Sequence, residues 1–185
     1  MSSVITLRGC LSQPCGYLHS HWDLYPPGAG QTQQMVGAYL FRDDNNKWLV
    51  RKTGDNSTDL VRHGDVVRLE HQVTGRNLHS HDVPALKDKN MYQVTGYGDR
   101  GVGDDNDLWT IEVVGGRQGD VVKAMTSHVR IRHVHLQCIL TCVGTPLPKE
   151  WGYMMTEITC SPWLRLRHKP EISGAHVSDN IRPGF

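Results

Sequence analysis

The chain has 185 residues, with 20 Lys and Arg against 19 Asp and Glu and a formal net charge of +1. That length suits one domain with a real core better than two unusually small ones. The interspersed charges argue against a nucleic-acid surface and a disordered acidic tract, and no run approaches the roughly 20 apolar residues that a membrane helix needs.

In chain order, the predicted elements are strand after strand. Leu18-His19-Ser20-His21 opens the first recognisable motif, followed by the turn Pro26-Pro27-Gly28, the segment Gln33-Gln34-Met35-Val36, and Asp43-Asp44-Asn45-Asn46-Lys47-Trp48. Val66 to His71 alternates apolar with polar residues, as a half-buried strand does because successive side chains face opposite ways. Leu78-His79-Ser80-His81, Gln93-Val94-Thr95-Gly96 and Asn106-Asp107-Leu108-Trp109 then repeat the first series. Val129 to Val134 is a third alternating strand, Leu140-Thr141-Cys142 stands in the histidine slot, and Glu157-Ile158-Thr159 matches Gln93-Val94-Thr95. Turn residues punctuate these runs, and no segment sustains a helical period.

The spacing is regular: Leu7 to Leu69 and Leu69 to Ile131 are each 62 residues, Leu18 to Leu78 is 60, and Leu78 to Leu140 is 62. Three units of this length, each with about four strands, predict an all-β chain folded as a β-trefoil with pseudo-threefold symmetry, since three together cover the edges each alone exposes. The expected trefoil spans 1–167, with repeats at about 1–54, 60–115 and 121–167, and 168–185 reads as a C-terminal connector. Trp163 follows Ile158 by only 5 residues, against 15 from Val94 to Trp109, so Trp163 to Arg167 is expected as the last strand of a shortened hairpin, or the third repeat is incomplete. Trp48 and Trp109 are expected to close the cores of their repeats.

Three chemistries fit the paired histidines. Residues two apart on a strand share a face, so His19 with His21 and His79 with His81 form chelating pairs. No metal site is assigned, because the third repeat has no such pair and no carboxylate recurs beside the first two. A structural role, with one imidazole of each pair fixing the following turn, needs no ligand. In the third reading His19, His21, Gln33, Asn46, Arg76, His79, His81, Gln93 and Asn106 form hydrogen-bonding surfaces for sugar hydroxyls or an extended peptide, up to two similar sites acting together. Cys138 and Cys160 flank the third repeat and are read either as a disulfide or as buried thiols.

Gly16 to His21, Asp43 to Trp48, Leu60-Val61-Arg62-His63-Gly64-Asp65, Thr74 to His81 and Tyr92 to Gly98 closely resemble the MIR domain family. The resemblance covers about residues 2–160 and is nearest the MIR domains of protein O-mannosyltransferases, the second animal subtype in particular, with Leu147 to Tyr153 supporting that choice. It implies a parent enzyme of the endoplasmic reticulum membrane that moves mannose from dolichyl-phosphate mannose to Ser or Thr of proteins, paired with a second O-mannosyltransferase subtype. The MIR part then lies in the lumen as the accessory module that binds glycan or acceptor polypeptide, with no cofactor of its own. Its link to the membrane runs through segments not in this sequence, which offers no carboxylate pair or activated nucleophile for turnover. The other reading is a stand-alone chaperone cofactor or lectin-like module of the same compartment. Asn56-Ser57-Thr58 is an N-glycosylation acceptor that fits a luminal address.

Overall fold

A computed structural model of the chain describes residues 3–9, 16–53, 60–100, 102–162 and 175–179. Twelve strands run through them: β1 (Ser3–Gly9), β2 (Tyr17–Leu24), β3 (Gln34–Tyr39), β4 (Trp48–Lys52), β5 (Val66–His71), β6 (Asn77–Pro84), β7 (Tyr92–Tyr97), β8 (Trp109–Val113), β9 (His128–His133), β10 (Cys138–Pro146), β11 (Thr156–Pro162) and β12 (Ala175–Asp179). Short 3-10 turns at Asp44–Asn46 and Asp105–Asp107 lead into β4 and β8, each capped by the preceding aspartate.

The first and last strands of each repeat close a ring in which β1 pairs β4, β4 pairs β5, β5 pairs β8, β8 pairs β9, β9 pairs β12 and β12 returns to β1. The hairpins β2–β3, β6–β7 and β10–β11 join each other at one end through β3–β7, β7–β11 and β11–β3 pairing. This is the expected β-trefoil, a barrel with a three-hairpin cap. Closure leaves the ring without an open edge, which is why three repeats are stable where one is not. Alternation does the packing: Leu7, Leu69 and Ile131 turn inward with Leu18, Leu78, Trp48 and Trp109 to form a single core.

Three expectations need correction. Residues 168–185 are not simply a connector, because Ala175–Asp179 supplies the strand that completes the ring. The register aligns Ala175 opposite Gly9 just as Trp48 lies opposite His71 and Trp109 opposite His133. The third repeat therefore ends beyond 167, with alanine in the tryptophan position; Trp163 to Arg167 lie outside the described residues. In the first repeat, Ser20 pairs with Val36 as Ser80 pairs with Val94, so Met35, rather than Gln33 or Gln34, is the counterpart of Gln93. The loop after Tyr25 is two residues longer than the one after Ala85, and this shifts the glutamines out of register.

Candidate functional site

In the first repeat, His19 sits inside a buried polar plug. Its Nδ1 is 2.8 Å from Asn46 Oδ1, Asn46 donates through Nδ2 to the Phe41 carbonyl at 3.0 Å, and Trp48 Nε1 donates to the Leu18 carbonyl at 3.0 Å. His71 packs on Trp48 and donates through Nε2 to the Asn45 carbonyl at 2.9 Å, which leaves Nδ1 to accept the Thr74 hydroxyl at 2.9 Å. Gln34 donates to the same Thr74 oxygen. Burial lowers the His71 pKa to about 4, so this network holds a neutral ring.

The second repeat builds the same plug with a carboxylate. His79 Nδ1 lies 2.8 Å from Asp107 Oδ1, Asp107 Oδ2 accepts the Asp104 and Asn77 N–H groups, and Trp109 Nε1 donates to the Leu78 carbonyl at 2.9 Å. His133 repeats His71, bonding the Asn106 carbonyl at 2.9 Å, and burial lowers its pKa. His79, Asp104 and Asp107 bring possible ligand atoms within 4.8 Å of one another. Both Asp107 oxygens are already committed to N–H groups, an arrangement suited to a structural plug. The sequence pointed to Asn106 here, but only its backbone bonds are seen in the plug, and Asp107 is the side chain that matches Asn46.

The outer histidines differ from the inner ones. His21 Nδ1 is 2.7 Å from Asp23 Oδ2, its ring meets the edge of Tyr153 at 4.7 Å, and its Nε2 is buried without a hydrogen-bond partner. His81 Nδ1 approaches His79 Nε2 at 3.2 Å, and desolvation followed by the nearby His79 lowers its pKa. Both remain partly exposed.

Gln33 and Gln93 serve the cap. Gln33 Oε1 accepts the Thr95 hydroxyl at 2.6 Å, whereas buried Gln93 holds the loop of the preceding repeat through the Ala29 carbonyl and the Gln31 N–H, both at 2.9 Å. Glu157, its counterpart, accepts the Leu86 N–H at 2.7 Å and holds the next loop in the same way. Met35, the third counterpart, packs with Tyr25 and Ala29 against Leu86 and Trp151. Each repeat thus fastens a neighbour's loop around the pseudo-threefold axis. Burial raises the Glu157 pKa.

Among the described residues, Arg76 is a sequence candidate that lines an open cleft. The cleft holds about 610 Å³ between the first and second repeats and is walled by Trp22, Arg51, Glu70, Arg76, Asp99 and Arg100 with the Gln72 to Gly75 turn. Arg51 forms a two-pronged pair with Glu70, Nε to Oε2 at 2.8 Å and Nη2 to Oε1 at 3.1 Å. Arg76 donates to the Gly98 carbonyl. Gly98 and Arg100 both take the left-handed backbone, which bends the far wall back toward Gly75; Arg100 N donates to the Gly75 carbonyl at 2.7 Å. Trp22 stands 66% exposed on the rim. The sequence reading missed this site, although Trp22 directly after the first Leu-His-Ser-His, against Asp82 after the second, is a visible difference. Cys138 and Cys160 are joined by a disulfide between β10 and β11, with a Cα–Cα distance of 5.3 Å. Asn56 lies outside the described residues.

A family model for the MIR domain matches residues 16–169. Over 98% of its length the chain is 51% identical to protein O-mannosyl-transferase 2 of Danio rerio, covering 24% of that protein. Among solved structures, the Saccharomyces cerevisiae protein O-mannosyltransferase Pmt1-Pmt2 complex bound to the sugar donor matches with a TM-score of 0.82 and 34% identity, over 98% of this chain and 25% of that one. The SDF2-like protein of Arabidopsis thaliana shares the fold, with a TM-score of 0.78 and 23% identity over 96% of this chain and 94% of that one. The chain spans about a quarter of the length of the curated relatives it matches.

Proposed function

The chain belongs to the MIR domain family, and on that premise we propose that it is the luminal accessory module of a protein O-mannosyltransferase, binding glycan or acceptor polypeptide beside a catalytic part carried elsewhere in the enzyme. The observation that carries this reading is an identity of 51% running through 98% of the chain while covering 24% of the relative. The parent enzyme then transfers mannose from dolichyl-phosphate mannose to Ser or Thr hydroxyls in the endoplasmic reticulum. The similar yeast structure is a Pmt1-Pmt2 complex bound to the sugar donor, which supports a second subtype as partner.

Chemistry within the chain agrees with an accessory role. Its inner histidines and the Asp107 carboxylate are consumed by buried hydrogen bonds, and a general acid or base must reach its substrate. Groups available for ligand contact include the partly exposed His21, His81 and Asn106, Gln33 at the base of the loop before β3, and the cleft residue Arg76. A weak site suffices when the ligand is repetitive and held near a membrane-bound enzyme. Following the amide signals of the chain while titrating a mannosylated Ser/Thr peptide tests the proposal. Saturable shifts at millimolar ligand support it, and an unchanged spectrum removes ligand binding from the reading.

A further inference from the structure

We propose that an aromatic stripe at the junction of the first and third repeats, ending in the exposed turn at Tyr153 and Met154, docks a hydrophobic side chain of an unfolded acceptor polypeptide. The inference rests on the acceptor-polypeptide part of the reading above and gives it a place and a side-chain preference.

The turn is the first observation. The Met155 N–H closes on the Gly152 carbonyl at 2.8 Å, and both residues between them take the left-handed backbone, Tyr153 at φ 49° and Met154 at φ 61°. Two successive positive φ angles mark a type I′ turn, which Asn and Gly enter easily and bulky residues enter at a cost. The second repeat closes the equivalent turn without that cost. There the Ala85 N–H bonds the Met91 carbonyl as the Leu147 N–H bonds that of Met155, and the Asp88 carbonyl accepts the Met91 N–H. Lys89 and Asn90 therefore stand where Tyr153 and Met154 do, and neither has a positive φ. Closing the fold does not call for tyrosine and methionine here, yet the backbone holds them outward, 53% and 79% exposed; strain of this kind gathers at functional sites.

Ring contacts carry the apolar surface from this turn across the first repeat. Tyr153 meets His21 at 4.7 Å, His21 meets His19 at 5.6 Å, His19 meets Tyr39 at 4.9 Å, and Tyr39 meets Phe41 at 5.4 Å. Phe41 is 60% exposed. Aromatic rings offer broad, rigid contact, and a Met thioether bends to fit side chains of differing shape. Beside the turn, His21 Nε2 is buried without a partner, and a polypeptide backbone group reaching between the His21 and Tyr153 rings would satisfy it. Size selects the occupant. At roughly 200 Å² for each fully exposed side chain, Phe41, Tyr153 and Met154 present on the order of 400 Å², against about 800 Å² per partner in a stable interface. That is too little to hold a second copy or a subunit, and enough for one or two side chains of a passing chain.

The test uses the full chain and three Ser/Thr-rich peptides: one with a single phenylalanine, one with serine in its place, and the serine peptide mannosylated. Amide signals are followed by NMR. The expected result is a saturable shift of the 39–41 and 152–155 amides with the phenylalanine peptide, and none there with the serine peptide. Tyr153→Gly with Met154→Gly keeps the left-handed turn while removing both side chains, and weakens binding of the phenylalanine peptide by roughly tenfold; Phe41→Ser weakens it less. Equal shifts with both unmodified peptides would overturn the side-chain preference, and shifts confined to other residues would overturn the place while leaving acceptor binding intact. The same shifts on raising protein concentration alone would give the stripe to a second copy. A response to the mannosylated peptide only would remove this inference and leave the glycan part of the proposed function standing.

Discussion

The first two repeats and the third share a backbone register and one core, but not the way each lobe fills it. Where the first two set Trp48 against His71 and Trp109 against His133, the third aligns Ala175 with Gly9. Tryptophan and histidine are absent together, as a pair packed ring against ring should be: an imidazole without its indole neighbour would keep its desolvation cost and lose its contact. The third repeat instead carries the Cys138–Cys160 disulfide across its hairpin. Pairing of strands sets the symmetry, and each lobe fills its interior by its own means.

Removing either plug should break this comparison most severely. Trp48→Ala or Trp109→Ala deletes a fully buried side chain and its carbonyl bond, and should cost about 3–5 kcal/mol; urea unfolding measures it. If both leave stability unchanged, the plugs do not carry their lobes. Next comes the disulfide. Its 22-residue separation implies a loss of about 3 kcal/mol in Cys138→Ser with Cys160→Ser, and hydrogen exchange should rise in β10 and β11 more than in β6 and β7.

The pH response is smaller near neutrality. Burial holds His71 and His133 below the ordinary histidine range, His71 at about 4. The unfolded chain therefore binds more protons in this window, so stability is full above about pH 6.5 and falls as pH drops toward 4. His71 alone should contribute roughly 1 kcal/mol of loss by pH 6 and more below. Stability curves of His71→Gln should be flatter over that range; an equally steep curve would locate the titration elsewhere. The smallest effect concerns charge order. Arg51 with Glu70 and Glu112 with Arg132 occupy equivalent positions with the signs exchanged, so the reciprocal swap Glu112→Arg with Arg132→Glu should stay within about 1 kcal/mol of the parent. Thermal melts of the double and single variants would detect a larger penalty.

Much of this was legible in the sequence because a trefoil writes its core at a fixed interval. Leu7, Leu69 and Ile131 gave the period, and Trp48 with Trp109 gave the ends of two repeats. The sixth barrel strand was hidden because its marker residue is gone, and Trp163 offered a false substitute. The Met35 register slipped because glutamines stand on both sides of a loop whose length differs between repeats. Ligand chemistry was the least legible part. His19 and His79 look like presented side chains, yet the chain folds two 3-10 turns over them, and only Asn46 and Asp107 tell why. The cleft assembles residues from positions 22 to 100, a gathering that no local motif encodes.

The return of β12 to β1 also sets a timetable. Ile5 to Gly9 gain their pairing with β12 only from residues 175–179, although β1 also pairs β4 and β2, so on a ribosome the opening strand must wait for nearly the whole domain to emerge before its pairing is complete. Until then β1 exposes an unpaired edge, and the slow, long-range step of folding is the closing one. Retention of a nascent chain that stops before Ala175 by chaperones, and its release once Asp179 has cleared the exit tunnel, would be the cellular trace of a ring that cannot close early.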